Sequence, residues 1–352
     1  MPNERKVHKT PVPLLGGLAV FCSFCLSLFF ALLIPWIRQT LIDPARGWAG
    51  LVLGSLIIIG LGFYDDCRNI KPGPKIFFQS LAAGCMIIGF GFQIRAVSNP
   101  FGEGALVLGW LSIPFTFLWV VGITNALNII DGLDGLASGV AAIAGLAIFT
   151  IACTNGNPFI AFISLILVGN VLGFLVYNFH PASIFLGDSG SLFIGFWLSF
   201  LSVQGVQSRH NAVLPIAVPV MVLGFPIMDM TLAVLRRFFR SERDRGVIDK
   251  IRFVFKADQC HIHHKLLDRG FSQRLAVVLL YCLCLIFAGC ALCTVFLPRI
   301  NHRVWVLFLL ASCLTIRNMT DLKTARGPHL YKSTSRPYIP ESDAIALKEK
   351  KG

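Results

Sequence analysis

Residues 108–153 read "LGWLSIPFTFLWVVGITNALNIIDGLDGLASGVAAIAGLAIFTIAC". Two apolar runs, 108–126 and 135–153, are joined through the segment Asn125–Gly139, which carries two aspartates and two asparagines. A helix of about 20 apolar residues spans a bilayer, and both runs approach that length. The alternating polarity of a β-barrel strand is absent, so helices are expected to satisfy the backbone hydrogen bonds in lipid. The stretch predicts two membrane helices with an acidic, glycine-rich connection.

The rest of the chain repeats this pattern of apolar runs. Of its 352 residues, 55% are hydrophobic and only 14% are charged, and the mean hydropathy is +0.72. Such a composition excludes an ordinary soluble protein and favours one all-α, polytopic membrane domain over residues 1–316, followed by a polar tail at 317–352. About ten spans are predicted, at 14–37, 48–64, 76–93, 108–126, 135–153, 158–177, 190–207, 213–235, 275–297 and 304–316.

The basic residues predict which side of the membrane each connection faces. When successive connections are assigned to alternate sides, 25 of the 31 Lys and Arg residues fall on one side. An excess of Lys and Arg marks the cytoplasmic side, so both termini are predicted to be inside. The net charge of +13 therefore indicates topology and an anionic lipid or substrate rather than nucleic acid. The predicted cytoplasmic catalytic segments are 1–13, 65–75, 125–135, 178–191 and 236–274.

The CxxC spacing of two cysteine pairs is typical of a metal site, but the positions of these pairs in the chain argue against one. The CxxC pairs Cys22/Cys25 and Cys290/Cys293 both lie within apolar spans. Thiolates there would be buried charges without other ligands, so these cysteines are predicted to be small packing residues.

Acidic and imidazole side chains are predicted to share one face of the protein. Because the second, fourth, sixth and eighth spans all end on the same side, the polar segments that follow them meet there although they are distant in sequence. The residues on this face are Asp65, Asp66, Asp131, Asp134 and Asp188, together with His261, His263 and His264.

Five carboxylates on one face of the protein repel each other unless positive charge lies between them. Mg²⁺ is typically held by one or two carboxylates and by substrate phosphates. Lys6, Lys9, Arg68, Lys71 and Lys75 lie on the same predicted side and could contact phosphate. Glycines around "GDSGS", and those of "DGLDGLASG", would let backbone N–H groups at two helix starts approach an anion. The pattern predicts a diphosphate site with a divalent cation.

Several alternatives stay open on the residues alone. Any single aspartate at the end of a span could be a helix cap in water. Asp229 lies inside the eighth span, where it is either functional or paired with an arginine of its own helix, such as Arg236. The histidine segment could bind zinc with Cys260 or Asp258, but recognition of a nucleotide diphosphate fits its surrounding charge better. His180 is expected to stand alone at the surface.

Five motifs in order resemble the polyprenyl-phosphate N-acetylhexosamine-1-phosphate transferases of glycosyltransferase family 4. The resemblance covers residues 5 to about 280, and the histidine segment is similar to the bacterial branch that acts on undecaprenyl phosphate. The motifs are "KVHKTPVPLLGG", "DDCRNIKPGPK", "NALNIIDGLDGLASG", "IFLGDSGSLF" and "HIHHKLLDRG".

The resemblance implies an enzyme that transfers HexNAc-1-phosphate, most simply GlcNAc-1-phosphate, from a UDP-sugar to undecaprenyl phosphate and releases UMP. It implies Mg²⁺ as cofactor, with Mn²⁺ as an alternative, a bacterial plasma-membrane location with a cytoplasmic site, and a homodimer as the oligomer to test. The implied catalytic residues are Asp65, Asp66, Asp131, Asp134 and His263. The implied metal ligands are Asp188 and Asp66, and the implied substrate contacts are Lys9, Lys75, Asn125, Asn128, His261 and His264.

Direct attack of the lipid phosphate is favoured over a covalent aspartyl-phosphate route. A phosphate monoester has a second pKa near 6, so the acceptor is mostly ionised at neutral pH and needs positioning more than a strong base.

The main rival function is a secondary transporter for an anionic solute, whose site would lie near the middle of the bilayer.

Overall fold

The structure is a computed structural model that describes residues 12–42, 48–98, 105–206, 216–240 and 261–297, and part of 304–315. All its named elements lie in one compact unit, Met1–Leu310; the second unit, Ala311–Gly352, is described only at residues 311–313 and 315. The helices are α1 Gly16–Leu33, α2 Pro35–Leu41, α3 Trp48–Arg68, α4 Pro72–Phe90, α5 Ser112–Ile130, α6 Leu136–Thr154, α7 Pro158–Asn178, α8 Gly187–Val206, α9 Ala217–Val222, α10 Gly224–Arg240, α11 Ile262–Asp268 and α12 Gln273–Phe296.

Eight helices in the described part of the chain are long and apolar enough to cross a membrane, which confirms an all-α polytopic protein. They are α1, α3, α4, α5 (extended by a 3₁₀ turn at Gly109–Leu111), α6, α7, α8 and α12. The predicted run 213–235 differs, because it is broken at Leu223 into α9 and α10. Pro226 lacks an N–H and therefore fits the first turn of a new helix better than the middle of a continuous one. The last predicted span, 304–316, is described only in part.

Helix α8 lies at the centre of the bundle and is buried along most of its length. It packs against α1, α3, α5, α6, α7 and α9. Two glycines allow the closest of these approaches: Gly17 of α1 faces the backbone of Gly190, and Gly62 of α3 faces the backbone of Ser189. Small residues at such crossings let membrane helices pack through their backbones. The end of α3 and the start of α1 are thereby held at the start of α8.

Successive long helices run in opposite directions, so the connections that follow α3, α5 and α7 meet at one end of the bundle. There, the Gly16 N–H donates to the Phe185 carbonyl at 3.1 Å, and Arg274 Nε donates to the His180 carbonyl at 3.1 Å. At the other end, Asn157 Nδ2 donates to the Gln204 carbonyl at 3.2 Å. A two-stranded antiparallel hairpin is formed by β1 Ala96–Ser98 and β2 Ala105–Val107, and the residues that join its strands, 99–104, lie outside the described part.

The CxxC cysteines were predicted to be small packing residues, but they do not lie in the protein core. Cys22, Cys25 and Cys293 are exposed on the bundle surface, and Cys290 is half-buried. In a membrane protein this surface faces lipid, where a small apolar thiol is tolerated without a protein partner.

Candidate active site at one end of the helix bundle

Asp66, at the end of α3, caps the central helix α8. Its Oδ1 accepts the N–H of Asp188 at 2.7 Å, and its Oδ2 accepts the N–H and the Oγ–H of Ser189 at 3.1 and 2.7 Å. Gly187 has φ +72°, and a side chain there would press on the Asp66 carboxylate. A carboxylate at this position satisfies orphan N–H groups and opposes the positive end of the helix dipole.

This cap corrects one sequence-based expectation. The N–H groups at the start of α8 were expected to bind a substrate anion, but those of Asp188 and Ser189 already bind Asp66. The nearby glycines serve packing instead: Gly190 lies against Gly17 and Leu186, and Gly195 lies against the backbone of Thr124. The anion at this helix start is a side chain of the protein itself.

Lys75 of α4 joins two of the predicted acidic residues. Its Nζ forms an ion pair with Asp188 Oδ2 at 2.8 Å and another with Asp65. Asn128 of α5 completes the cluster, because its Nδ2 donates to Asp188 Oδ1 at 2.7 Å and to Ser191 Oγ at 2.9 Å. Four helices, α3, α4, α5 and α8, therefore each contribute a polar side chain to one point. These side chains lie on helix ends rather than in the loops predicted at 65–75 and 125–135, because the helices extend to Arg68 and Ile130.

Asp131 follows α5 directly and is the open acidic group beside this cluster. Among the described residues, no hydrogen-bond donor reaches its carboxylate, which is partly buried. Burial raises its pKa well above the ordinary value, and the negative charges of Asp188, Asp66 and Asp134 raise it further. A cation bound nearby would reverse this effect.

Asp134, predicted to be catalytic, is buried and bound to the loop after α7. Its Oδ2 lies 2.8 Å from His180 Nδ1 and accepts the N–H of Ala182 at 3.1 Å. The expectation that His180 stands alone is therefore wrong. The geometry gives Asp134 a structural part, in which it joins the α5–α6 turn to the α7–α8 connection.

Two residues that sequence reasoning missed fix the same turn. Asn178, at the end of α7, accepts the N–H of Gly135 at 3.1 Å and the Oγ–H of Ser138 at 3.0 Å, and it donates to the Ile184 carbonyl at 3.0 Å. Tyr281 of α12 donates its O–H to the Gly135 carbonyl. Gly135 has φ +79°, a conformation that a side chain disfavours. A lone asparagine that ends an apolar run was the available signal for Asn178.

Asn125, a predicted substrate contact, lies one turn below the cluster and is occupied by other partners. Its Nδ2 donates to Gln79 Oε1 at 2.6 Å and to the Val121 carbonyl at 2.7 Å, while Gln79 donates back to Asn125 Oδ1 at 3.3 Å. Gln79 is buried. Reciprocal amide bonds of this kind join α4 to α5, so the geometry gives Asn125 a packing role.

The three predicted histidines lie on and just before the short helix α11. His263 is 1% exposed, its Nε2 points at Gly132, and burial lowers its pKa to about 3. His264 is half-buried, and burial and the charge of His261 lower its pKa. His261 Nδ1 lies 2.9 Å from Asp229 Oδ2, so Asp229 is paired with a histidine of another helix and not with an arginine of its own.

The described residues bring together few side chains that could bind a metal ion. No group of three His, Cys, Asp or Glu side chains there is placed to hold an ion, and the zinc alternative relies on Cys260 and Asp258, which lie outside the described part. Mg²⁺ needs fewer protein ligands. Lys6 and Lys9 also lie outside the described residues, so their predicted phosphate contacts stay predictions.

The chain is similar to known proteins over the part that carries the cluster. The family model for glycosyl transferase family 4 matches residues 48–206, which contain Asp65, Lys75, Asn128 and Asp188. A Bacillus subtilis (strain 168) protein described as a probable undecaprenyl-phosphate N-acetylglucosaminyl 1-phosphate transferase is 38% identical over 82% of this chain and 74% of its own length. A Mycobacterium leprae decaprenyl-phosphate N-acetylglucosaminephosphotransferase is 34% identical over 85% of this chain and 77% of its own.

A more distant relative, the undecaprenyl-phosphate alpha-N-acetylglucosaminyl 1-phosphate transferase of Escherichia coli (strain K12), is 27% identical over 89% of this chain and 81% of its own length. The matches with these relatives cover 82–89% of the chain, and the family model includes the helix ends that form the cluster. The chain belongs to glycosyl transferase family 4.

Proposed function

We propose that the protein transfers GlcNAc-1-phosphate from UDP-GlcNAc to undecaprenyl phosphate, which releases UMP and forms a lipid-diphosphate sugar. The observation that carries this proposal is the convergence of Asp65, Lys75, Asn128 and Asp188 from four helices at one end of an apolar bundle. The acceptor has an apolar tail and an ionised head, so its phosphate would lie at the membrane surface. A water-soluble nucleotide sugar can meet it only there.

The reaction joins two anions, so its main barrier is electrostatic. An oxygen of the lipid phosphate attacks the β-phosphorus of the nucleotide sugar, and the bond from that phosphorus to the oxygen of the departing UMP breaks. Lys75 is positioned to neutralise phosphate oxygens because it already lies between Asp65 and Asp188. Asn128 holds Asp188 in place at 2.7 Å. Fixed charges that match the developing charge of the transition state lower the barrier more than flexible ones do.

The donor atoms at the site fit Mg²⁺. Asp188 accepts one hydrogen bond on each oxygen, so each oxygen keeps a free lone pair, and Asp131 is open. The resemblance also implied Asp66 as a ligand, but its carboxylate already accepts three hydrogen bonds from the start of α8. We propose that Asp188 and Asp131 hold the cation, and that substrate phosphates and water supply the other ligands. When bound, the cation would polarise the phosphoryl oxygens and stabilise the leaving UMP.

The hydrogen bonds of Asp66 favour direct attack over a covalent route through this residue. Both of its oxygens accept bonds from the start of α8, and a phosphorylated Asp66 would lose them. Asp65 is the second aspartate of this pair and a candidate nucleophile. Asp65→Asn cannot form an aspartyl phosphate at this position, so substantial residual turnover by that variant would exclude a covalent route through Asp65.

The positive-inside count supports a cytoplasmic site, where UDP-sugars are made available. Helix ends, not the middle of the bilayer, carry the acidic cluster, and the comparisons give no support to the transporter alternative. A homodimer is retained as the oligomer to test.

The proposal is tested by incubating the purified protein with Mg²⁺, undecaprenyl phosphate and a panel of UDP-sugars, and by measuring UMP release. We expect release with UDP-GlcNAc, dependence on both the lipid and the cation, and loss of release in Asp188→Asn. Ser272→Ala is the matched control, because it removes only a helix cap at the start of α12. No UMP from any donor would refute the proposal.

A further inference from the structure

Asp229 is a carboxylate that the proposed chemistry does not use. It lies in the second turn of α10 and is fully buried. Its Oδ2 lies 2.9 Å from His261 Nδ1, and its Oδ1 accepts the N–H of Ile262 at 2.8 Å. A buried carboxylate is costly unless both oxygens find donors, and here both donors come from a segment more than 30 residues further along the chain.

Both bonds fall at the start of α11. His261 is the N-cap of this helix, and its side chain makes no capping bond to it. Asp229 supplies the missing acceptor from another helix, because it binds the first N–H of α11. A helix of seven residues is too short to be stable by itself, so its position depends on such outside contacts.

The anchored helix carries His263 to the acidic cluster. The ring of His261 lies parallel to the ring of His263, with centroids 5.7 Å apart and planes 5° apart. His263 in turn lies against Gly132, which directly follows Asp131. A continuous series of contacts therefore runs from Asp229 through the two imidazoles to the turn that contains the open carboxylate.

We propose that Asp229 is a positioning residue, which holds α11 against the Asp131–Gly135 turn and thereby sets the affinity for the nucleotide sugar. This inference rests on the proposed function. Helix α11 is not among the membrane-length helices of the described part, and its His263 lies beside the turn that contains Asp131, so we assign the helix to the water-soluble donor rather than to the lipid acceptor. Lys265 and Arg269 on the same helix add positive charge that suits a diphosphate.

The kinetic test compares Asp229→Ala and Asp229→Asn with the control Ser272→Ala. We expect Asp229→Ala to raise the KM for UDP-GlcNAc about tenfold, which corresponds to about 1.4 kcal/mol, while the KM for undecaprenyl phosphate changes less than about twofold. Asp229→Asn should recover most of the loss, because its oxygen can still accept from Ile262 and its amide can donate to His261 in the other tautomer. Equal changes in both KM values, or the same change in Ser272→Ala, would show a general structural defect and overturn the proposal.

A second measurement does not depend on turnover. Hydrogen–deuterium exchange of the peptide 261–268 should become about tenfold faster in Asp229→Ala, stay near wild type in Asp229→Asn, and be unaffected by Ser272→Ala. Unchanged exchange in Asp229→Ala would overturn the anchoring. If Asp229→Ala fails to fold, Asp229→Ser takes its place, because its shorter side chain cannot reach both His261 and Ile262. A raised KM for UDP-GlcNAc with an unchanged KM for undecaprenyl phosphate in Asp229→Ser supports the proposal, and normal kinetics with normal exchange in that variant oppose it. If exchange is faster in Asp229→Ala but even the wild-type protein releases no UMP, the anchoring is supported and the proposed function is refuted.

Discussion

Replacement of Asp66 by alanine should destabilise the whole bundle, in addition to its effect on turnover. The carboxylate accepts three hydrogen bonds from Asp188 and Ser189, at 2.7, 3.1 and 2.7 Å, and these hold the end of α3 to the start of the central helix. In Asp66→Ala the two backbone N–H groups lose their acceptor in a partly buried region.

The size of the effect follows from these contacts. A hydrogen bond to a charged group contributes about 1.5–3 kcal/mol, and loss of a helix N-cap costs about 0.5–2 kcal/mol. The three bonds share one partly exposed carboxylate and do not add, so we expect a loss of about 2–3 kcal/mol in the free energy of unfolding. Asp66→Asn should lose about 1–2 kcal/mol, because its oxygen still accepts from Asp188 while its amide faces the N–H of Ser189.

The assay is unfolding by SDS titration in mixed micelles, followed by circular dichroism. Ser189→Ala, which removes only the hydroxyl bond, should lose about 1 kcal/mol. In a double-mutant cycle, Ser189→Ala should have almost no further effect on an Asp66→Ala background. If Asp66→Ala loses its turnover but unfolds within about 0.5 kcal/mol of the wild type, the capping argument is wrong and the residue acts only on substrate or metal.

Three further perturbations test separate parts of the site. Lys75→Met should lower kcat by about 100-fold or more, because Asp188 then faces the substrate phosphates without compensating charge; UMP release within tenfold of wild type would contradict this. Asn125→Ala should lower the free energy of unfolding by about 1–3 kcal/mol, since it orphans the buried Gln79, yet should leave the KM for UDP-GlcNAc within about twofold; a large KM change would restore its substrate role. The pKa of His263 is lowered to about 3, so the unfolded chain binds an extra proton below the ordinary value of 6.5. The contribution of neutral His263 to stability is complete above pH 6.5 and is reduced by about 2 kcal/mol at pH 5; unfolding of His263→Gln should show a weaker loss between pH 7 and 5, and identical pH dependence would exclude this origin.

Much of the candidate site followed from the chain itself. Asp65, Asp66, Lys75 and Asp188 were placed on one face by counting spans, and the structure brings them together. That inference works because a membrane helix can end only at one of two surfaces, so the parity of the span fixes the side. The same reasoning cannot say which polar side chain at a surface faces the substrate and which faces another helix.

Residues of the acidic, glycine-rich segment show that limit. Asn128 and Asn125 differ by three positions, yet one binds Asp188 and the other binds Gln79 of α4. Asp131 and Asp134 also differ by three positions; Asp131 is open to the cluster, and Asp134 is buried against His180. Their roles depend on which neighbouring helix supplies a donor within about 3 Å, and spacing along one chain carries no information about that distance.

The sequence by itself determined the class of fold, eight of the predicted spans, and the end of the bundle at which the acidic residues collect. Hydrophobic length and charge asymmetry decide these features locally, because each membrane helix satisfies its own backbone. Only the tertiary structure decided that Asp66 caps α8 and that Asp229 anchors α11. In both cases an acceptor on one helix meets orphan N–H groups on another, and such a match exists only once the helices are packed.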